Sequence, residues 1–283
     1  MGIGIGRLLS APTWTDLRSR LISGIILALL FAALVGVGGF AFRALCVATG
    51  FIIFDEWARI TRAKRVGPIF IFARRALTAS MIAFLLEAHV LAALIVVAAV
   101  GFIYLIDRRE RAATWVQGGL VYAALAALAP GNLRGDDVEG LAAIGLVVVV
   151  VVATDIFAYF TGRSLGGPKL MPLVSPKKTI SGAVGGLLAG VLFGAAYGYA
   201  LTNELSLVVI LLSAVLSVLG QAGDLYESWV KRRFGVKDSG RLIPGHGGLM
   251  DRIDALIIAT AALWLIAVAT HGFDEPARAV FSL

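Results

Sequence analysis

The stretch Leu205–Thr270, LSLVVILLSAVLSVLGQAGDLYESWVKRRFGVKDSGRLIPGHGGLMDRIDALIIATAALWLIAVAT, sets two long apolar runs around a polar centre, Ser228–Asp254. That centre holds six cations (Lys231, Arg232, Arg233, Lys237, Arg241, Arg252), a Pro244-Gly245-His246-Gly247-Gly248 turn and an acidic pair, Asp251 and Asp254. A further acid, Asp224, lies just upstream inside apolar sequence. Runs of this length suit membrane spans. Cations, glycines and carboxylates gathered between them suit a metal-bound polyphosphate held at a membrane surface, and do not suit a lipid-facing helix.

The rest of the chain reads the same way. Of 283 residues, 59% are hydrophobic and 15% charged, and the mean hydropathy is +0.90. A soluble domain cannot hide that much apolar surface, so the bilayer must be the solvent for most of the chain. The formal charge of +7 falls in short loops between apolar runs, which indicates orientation and anionic ligands. Arginine-rich loops without interleaved aromatics argue against nucleic acid as a partner. Cys46 is the single cysteine, so neither an intrachain disulfide nor a thiolate cluster can form, and it is expected to fill space in a helix. Arg7, Arg18 and Arg20 precede the first run. Their long charged lead indicates a retained first helix rather than a cleaved signal.

The pattern predicts nine spans: Leu21–Gly36, Gly39–Ile60, Ala76–Glu87, Ala88–Ile106, Trp115–Ala129, Leu141–Phe160, Ile180–Leu201, Leu205–Tyr226 and Ile253–Thr270. The second ends in polar sequence at Asp55 and Glu56, which leaves Phe54 as an alternative end, and only Glu87 and His89 separate the third from the fourth. With the N-terminus cytoplasmic, every Lys and Arg except Arg43, Arg134 and Arg278 falls on the inner side, as positive-inside bias demands. Merging the third and fourth spans would scatter the cations over both sides. The expected architecture is an all-α polytopic membrane domain over residues 1–283, with an N-terminal helical half (1–135) and a C-terminal half (136–283) carrying the polar motifs. Glycines of the seventh span (Gly182, Gly185, Gly186, Gly190, Gly194) would let helices approach closely.

Two constellations could do chemistry. Asp224 sits near the inner end of the eighth span, and an ionisable group costs about 2.5–3.5 kcal/mol at mid-membrane, less near the interface. Ser228 and Lys231 share its helix face. A pair with Lys231 alone would be the plain explanation, but Asp251 and Asp254 begin the next helix at the same depth. They could cap that helix, or bind metal beside Gly247 and Gly248, whose N–H groups are expected to face an anion. Mg²⁺ takes one or two carboxylates and completes its shell with water and phosphate. The metal candidates are therefore Asp224 and Asp251, then Asp254. His246 could serve as a base, but a phosphate nucleophile hardly requires one, so a hydrogen-bonding role in the turn is expected. The second constellation is Asp155, Tyr159, Arg163 and the loop Gly166–Thr179. Asp155 and Tyr159, four residues apart, are expected to face the interior together. Ser175 and Pro176 have the form of a helix start, and Lys177 and Lys178 would add a basic pocket beside it.

Ser228, Lys231-Arg232, Lys237-Asp238, Gly240, Pro244, His246-Gly247-Gly248, Asp251-Arg252 and Asp254, in this spacing, resemble the signature of the phosphatidate cytidylyltransferases, or CDP-diacylglycerol synthases. Asp155, Ala158-Tyr159, Gly162 and Ser175-Pro176-Lys177-Lys178-Thr179 also look like that family. The motifs cover the C-terminal half; the remainder is similar in span layout only. Many members follow the Lys-Lys-Thr with an aromatic residue and a Glu, where this chain has Ile180 and Ser181. The resemblance implies transfer of a cytidylyl group from CTP to phosphatidate at the cytoplasmic face of a bacterial inner membrane, in phospholipid biosynthesis. It implies Mg²⁺, with room for a second cation such as K⁺, surrounding membrane lipids and often a homodimer. Asp224, Lys231, Lys237, Asp238, His246 and Asp251 would then lie at the reacting centre. Asp155, Tyr159, Ser175, Lys177, Lys178, Thr179, Ser228, Arg232, Gly247, Gly248 and Arg252 would bind substrate. Competing readings are a CTP-dependent polyprenol or dolichol kinase and an anion transporter. A transporter should show repeats and broken helices near the midplane, whereas here the polar residues crowd at one face.

Overall fold

Nine α-helices are formed by the described residues of this computed structural model, which are 14–107, 111–242 and 247–273 together with 277 and 280. Arg7, Arg108, Arg109, Pro244, Gly245, His246 and Arg278 lie outside them. The helices are α1 (Trp14–Val37), α2 (Gly39–Ile60), α3 (Gly67–Leu85), α4 (His89–Ile106), α5 (Arg111–Arg134), α6 (Val138–Leu165), α7 (Ile180–Thr202), α8 (Leu207–Arg233) and α9 (Met250–His271). Seven of them, α3 to α9, are long and apolar enough to cross a membrane. α1 adds a shorter apolar stretch, Gly24–Val37, and α2 carries Arg43, Asp55, Glu56 and Arg59. The chain is an integral membrane protein of all-α class. Leu94, Val97, Leu188 and Leu192 stand exposed on its outside, where hydrocarbon is the solvent.

α5 packs against α2, α3, α4, α6 and α9. Its small residues, among them Ala123, Ala127 and Ala129, are fully buried and let those neighbours close on it. Trp57, Phe84, Leu120, Leu146 and Met250 fill the space between the helices. α7 lies along α6, close enough that a Cβ at Gly186 would stand 2.7 Å from the Thr154 carbonyl oxygen. The glycines of the seventh span are therefore a packing surface.

Several boundaries differ from the expectations. α3 begins at Gly67, with Pro68 in its first turn, so Arg74 and Arg75 belong to a helix and not to a loop. α3 and α4 are separate helices that pack together. Between them Glu87 takes φ 64° and its side chain meets Arg43 at 2.7 Å. α8 continues to Arg233, where three cations oppose the negative end of the helix dipole.

Ser175 and Pro176 do not start a helix. Two short strands form instead, β1 (Lys169–Met171) and β2 (Ser175–Thr179), antiparallel with Lys169 opposite Thr179 and Met171 opposite Ser175. The cap of α7 is Thr179, which accepts the Gly182 N–H at 3.1 Å. A Pro at the second position of a two-stranded edge needs no ladder donor, and Thr caps as well as Ser in kind.

The helix ends sort into two groups. At one end, the Trp57 indole (α2) donates to the Trp115 carbonyl (α5) at 2.8 Å, and Trp115 contacts Trp229 and Phe234 at the end of α8. The hairpin and the start of α9 join them through contacts described below. At the other end, buried Arg134 donates to the carbonyls of Val35 and Asp137 at 2.6 and 2.8 Å. Arg43 and Arg134, two cations predicted for the outer side, thus serve as structural ties.

Candidate active site

α9 starts in a segment that its own sequence cannot complete. The first N–H groups of a helix have no partner within it, and Leu249 supplies no side-chain cap. The partner comes from α2. The Glu56 carboxylate, fully buried, accepts the N–H groups of Leu249 at 2.9 Å and Met250 at 2.8 Å and the Ser239 hydroxyl at 2.9 Å. An acid at a helix N-terminus is also favoured by the dipole. Reading Asp55 and Glu56 as the polar end of a span missed this role. The signal that could have found it is an acid continuous with an apolar run, which is costly unless paired.

Asp251 closes the same segment from within. Its Oδ2 accepts the Ser239 N–H at 2.8 Å, the Ser239 hydroxyl at 3.0 Å and the Gly248 N–H at 2.9 Å. Its Oδ1 accepts Lys231 Nζ at 2.7 Å. The Ser239 hydroxyl has one proton, shared between Glu56 and Asp251, while the Ser239 and Gly248 N–H groups donate to Asp251. Lys231 also pairs with Glu227, one turn back on α8 and fully buried, a partner the sequence reading passed over. Gly247 has φ 89°, and a Cβ at Gly248 would meet Glu56 Oε2 at 2.6 Å, so both glycines are required by the backbone. The Gly248 N–H donates to Asp251 and the next two to Glu56, whereas the sequence suggested that this turn's N–H groups face an anion.

A second group surrounds a cavity of about 580 Å³ between the end of α6, the hairpin and α8. Asp155, Tyr159, Arg163, Lys177, Lys178 and Asp224 line it. Asp155 and Tyr159 thus share one face, but both are exposed at the cavity rather than turned into the bundle interior, and Arg163 donates to the Tyr159 hydroxyl at 2.9 Å. Lys178 makes a close ion pair with Asp224, which also accepts the Ser228 hydroxyl at 3.4 Å. The partner of Asp224 is therefore on the hairpin; Lys231, on its own helix, turns to Glu227 and Asp251. Ser181 donates to the Gly166 carbonyl, and so ties the start of α7 to the end of α6.

Asp254 joins the two groups. It interacts electrostatically with Asp224, Asp155 and Lys231, and Asp155 interacts with Asp224. Asp155 and Asp224 line the cavity with Lys178 beside them, and Asp254 lies within electrostatic reach of both. Among the described residues, no three His, Cys, Asp or Glu side chains gather closely enough to hold a metal by themselves. A divalent cation bound here would need water or phosphate to complete its shell.

The remaining predicted residues are dispersed. Arg232 is exposed and donates to the Val236 carbonyl at 3.3 Å, holding its own loop. Lys237 and Asp238 are exposed in that loop. Ser175 sits at the far end of β2 from Thr179. Arg252 lies on another face of α9 and lines a separate apolar cavity. His246 falls outside the described residues.

The profile of the Cytidylyltransferase family matches residues 18–270. The chain is 39% identical over 268 residues to the phosphatidate cytidylyltransferase of Brucella suis biovar 1 (strain 1330), covering 95% of this chain and 99% of that one. It is 32% identical over 267 residues to the phosphatidate cytidylyltransferase of Bacillus subtilis (strain 168), covering 89% and 97%.

Proposed function

The chain belongs to the cytidylyltransferase family, and we propose that it transfers the cytidylyl group of CTP to phosphatidate, releasing pyrophosphate and forming CDP-diacylglycerol. The observation that carries this reading is the gathering of Lys178–Asp224 and Lys231–Asp251 at one end of the bundle, the first pair lining a cavity whose wall also carries Lys177 and Arg163. A phosphate oxygen of phosphatidate attacks the α-phosphorus of CTP. The bond from that phosphorus to the bridging oxygen breaks, and pyrophosphate leaves with the electron pair. The nucleophile is already ionised, so the obstacle is repulsion between two polyanions. Like unit charges 4 Å apart repel by about 4 kcal/mol at an effective dielectric of roughly 20. Catalysis here is positioning and charge compensation.

Each residue has a part in that task. Lys178 exchanges Asp224 for a nucleotide phosphate, with Lys177 and Arg163 adding positive charge at the cavity wall. Asp224 and Asp254 would hold Mg²⁺, and Asp251 could join them only by releasing Lys231. Bound there, Mg²⁺ supplies charge neutralisation for the phosphates; a monovalent cation such as K⁺ would suit the further carboxylate, Asp155. Lys231, held by Glu227 and Asp251, stands ready for the leaving pyrophosphate. Positive-inside bias supports a site at the cytoplasmic face of the inner membrane of a bacterium, where CTP is available, because Lys231, Arg232 and Arg233 end α8 beside it.

The test uses purified protein in detergent with CTP labelled on its α-phosphate. Label should enter a lipid product, with release of pyrophosphate, only when phosphatidate and Mg²⁺ are both present. Lipid labelling from the γ-phosphate of CTP instead, with a polyprenol as acceptor, would replace this reading with a kinase.

A further inference from the structure

α1 packs on α2 and, more lightly, on α6, and an apolar cavity of about 440 Å³ remains between it and α9. We infer that this cavity receives an acyl chain of the lipid phosphate substrate, with Arg252 marking the headgroup end. The inference rests on the function proposed above and adds to it the place where the lipid is held.

Three observations lead there. The wall is almost wholly hydrocarbon, including Leu27, Phe31, Phe42 and Ile257, and Arg252 is its one charged residue among those described. Such a lining excludes nucleotide and suits a molecule with a long apolar body and an anionic end. Next, Arg252, Leu256 and Thr260 follow one another at i, i+4 spacing along one face of α9. They mark about 12 Å of helix axis, close to the roughly 15 Å hydrocarbon depth of one leaflet. Finally, α9 is shared between the two sites. Asp251 on its first turn reaches Lys231 of α8, while Leu249 and Arg252 of the same turn line the apolar cavity. A lipid lying against α1 and α9 therefore presents its phosphate at the helix start that Asp251 and Glu56 organise. Ala28 lines the cavity from the exposed, lightly packed α1, so bulk there would narrow the cavity without entering the core.

The experiment has two arms. In unmodified protein, phosphatidate carrying a diazirine on one acyl chain should crosslink to peptides containing Leu27–Phe31 and Ile253–Thr260. Unlabelled phosphatidate should compete, and phosphatidylcholine with the same chains should not. Labelling confined to the outer faces of α4 or α7, or equal competition by both lipids, would mean bulk lipid and would overturn the inference. In the second arm, Ala28→Trp should lower kcat/KM for a long-chain phosphatidate relative to a short-chain one about tenfold, the loss expected when roughly two methylene groups are displaced. An unchanged ratio, in an enzyme that still turns over CTP with phosphatidate, would sink the acyl site alone. Absence of turnover with any phosphatidate in unmodified protein would sink the function itself.

Discussion

The Glu56 carboxylate accepts the Met250 N–H at 2.8 Å across 194 residues of sequence. A side chain near the end of the second helix thereby caps the ninth, and the same carboxylate holds Ser239 and Leu249. Because Asp251 lies in the helix turn so capped, the geometry of the groups proposed to handle phosphate depends on a residue that need touch no substrate.

Removing that cap should cost stability and activity together. Glu56→Ala strands buried donors at about 1–3 kcal/mol and should lower Tm in detergent measurably, with loss of CTP turnover. Glu56→Gln keeps an acceptor oxygen and should recover part of both. Wild-type Tm and turnover in Glu56→Ala would refute the capping role.

Asp251→Asn keeps the side-chain volume but replaces one acceptor oxygen with an amide and removes the charge facing Lys231. Turnover should fall by about a hundredfold or more, with the protein still folded and membrane-inserted. Titrating Mg²⁺ separates two roles. A purely organising Asp251 leaves the half-saturating Mg²⁺ concentration unchanged in the variant, whereas Asp224→Asn should raise it. An equal rise in both variants would count Asp251 among the metal ligands.

Lys178→Ala releases Asp224 from its ion pair and takes a cation from the nucleotide cavity. The KM for CTP should rise about tenfold, the scale of one charge-assisted hydrogen bond, and more than the KM for phosphatidate. Steady-state kinetics with each substrate varied in turn decides it; an unaltered KM for CTP would reduce Lys178 to a topology signal.

Gly248→Ala should be as harmful as its small size is misleading. The added methyl would press on the Glu56 carboxylate, and overpacking of this kind costs about 1–3 kcal/mol. A destabilised protein is expected, read as a lower Tm and faster inactivation. Normal stability would mean that the loop relaxes freely around position 248.

Orientation can be read by single cysteines in a Cys46→Ala background. Leu173 in the hairpin is 94% exposed, and Glu204 lies at the opposite end of α7. In intact cells, an impermeant maleimide should label Glu204→Cys only, and Leu173→Cys should react after permeabilisation. The reverse pattern would place the site outside.

The sequence by itself determined the membrane class, most span positions and the crowding of charge at one end. Hydropathy and charge sign act locally, over about one helix length. The run Gly39–Ile60, whose end the sequence leaves open near Phe54, is one helix, and Asp155 and Tyr159 share a face as their spacing indicates. Only tertiary structure decided which charges meet. Asp224 pairs with Lys178 of the hairpin, Lys231 with Glu227 and Asp251, and α9 is capped from α2. The hairpin itself, where a helix start was expected, was also decided there. Such partners are chosen by how helices pack, and a buried polar group binds whichever complement the packing brings near. No spacing along the chain encodes that distance.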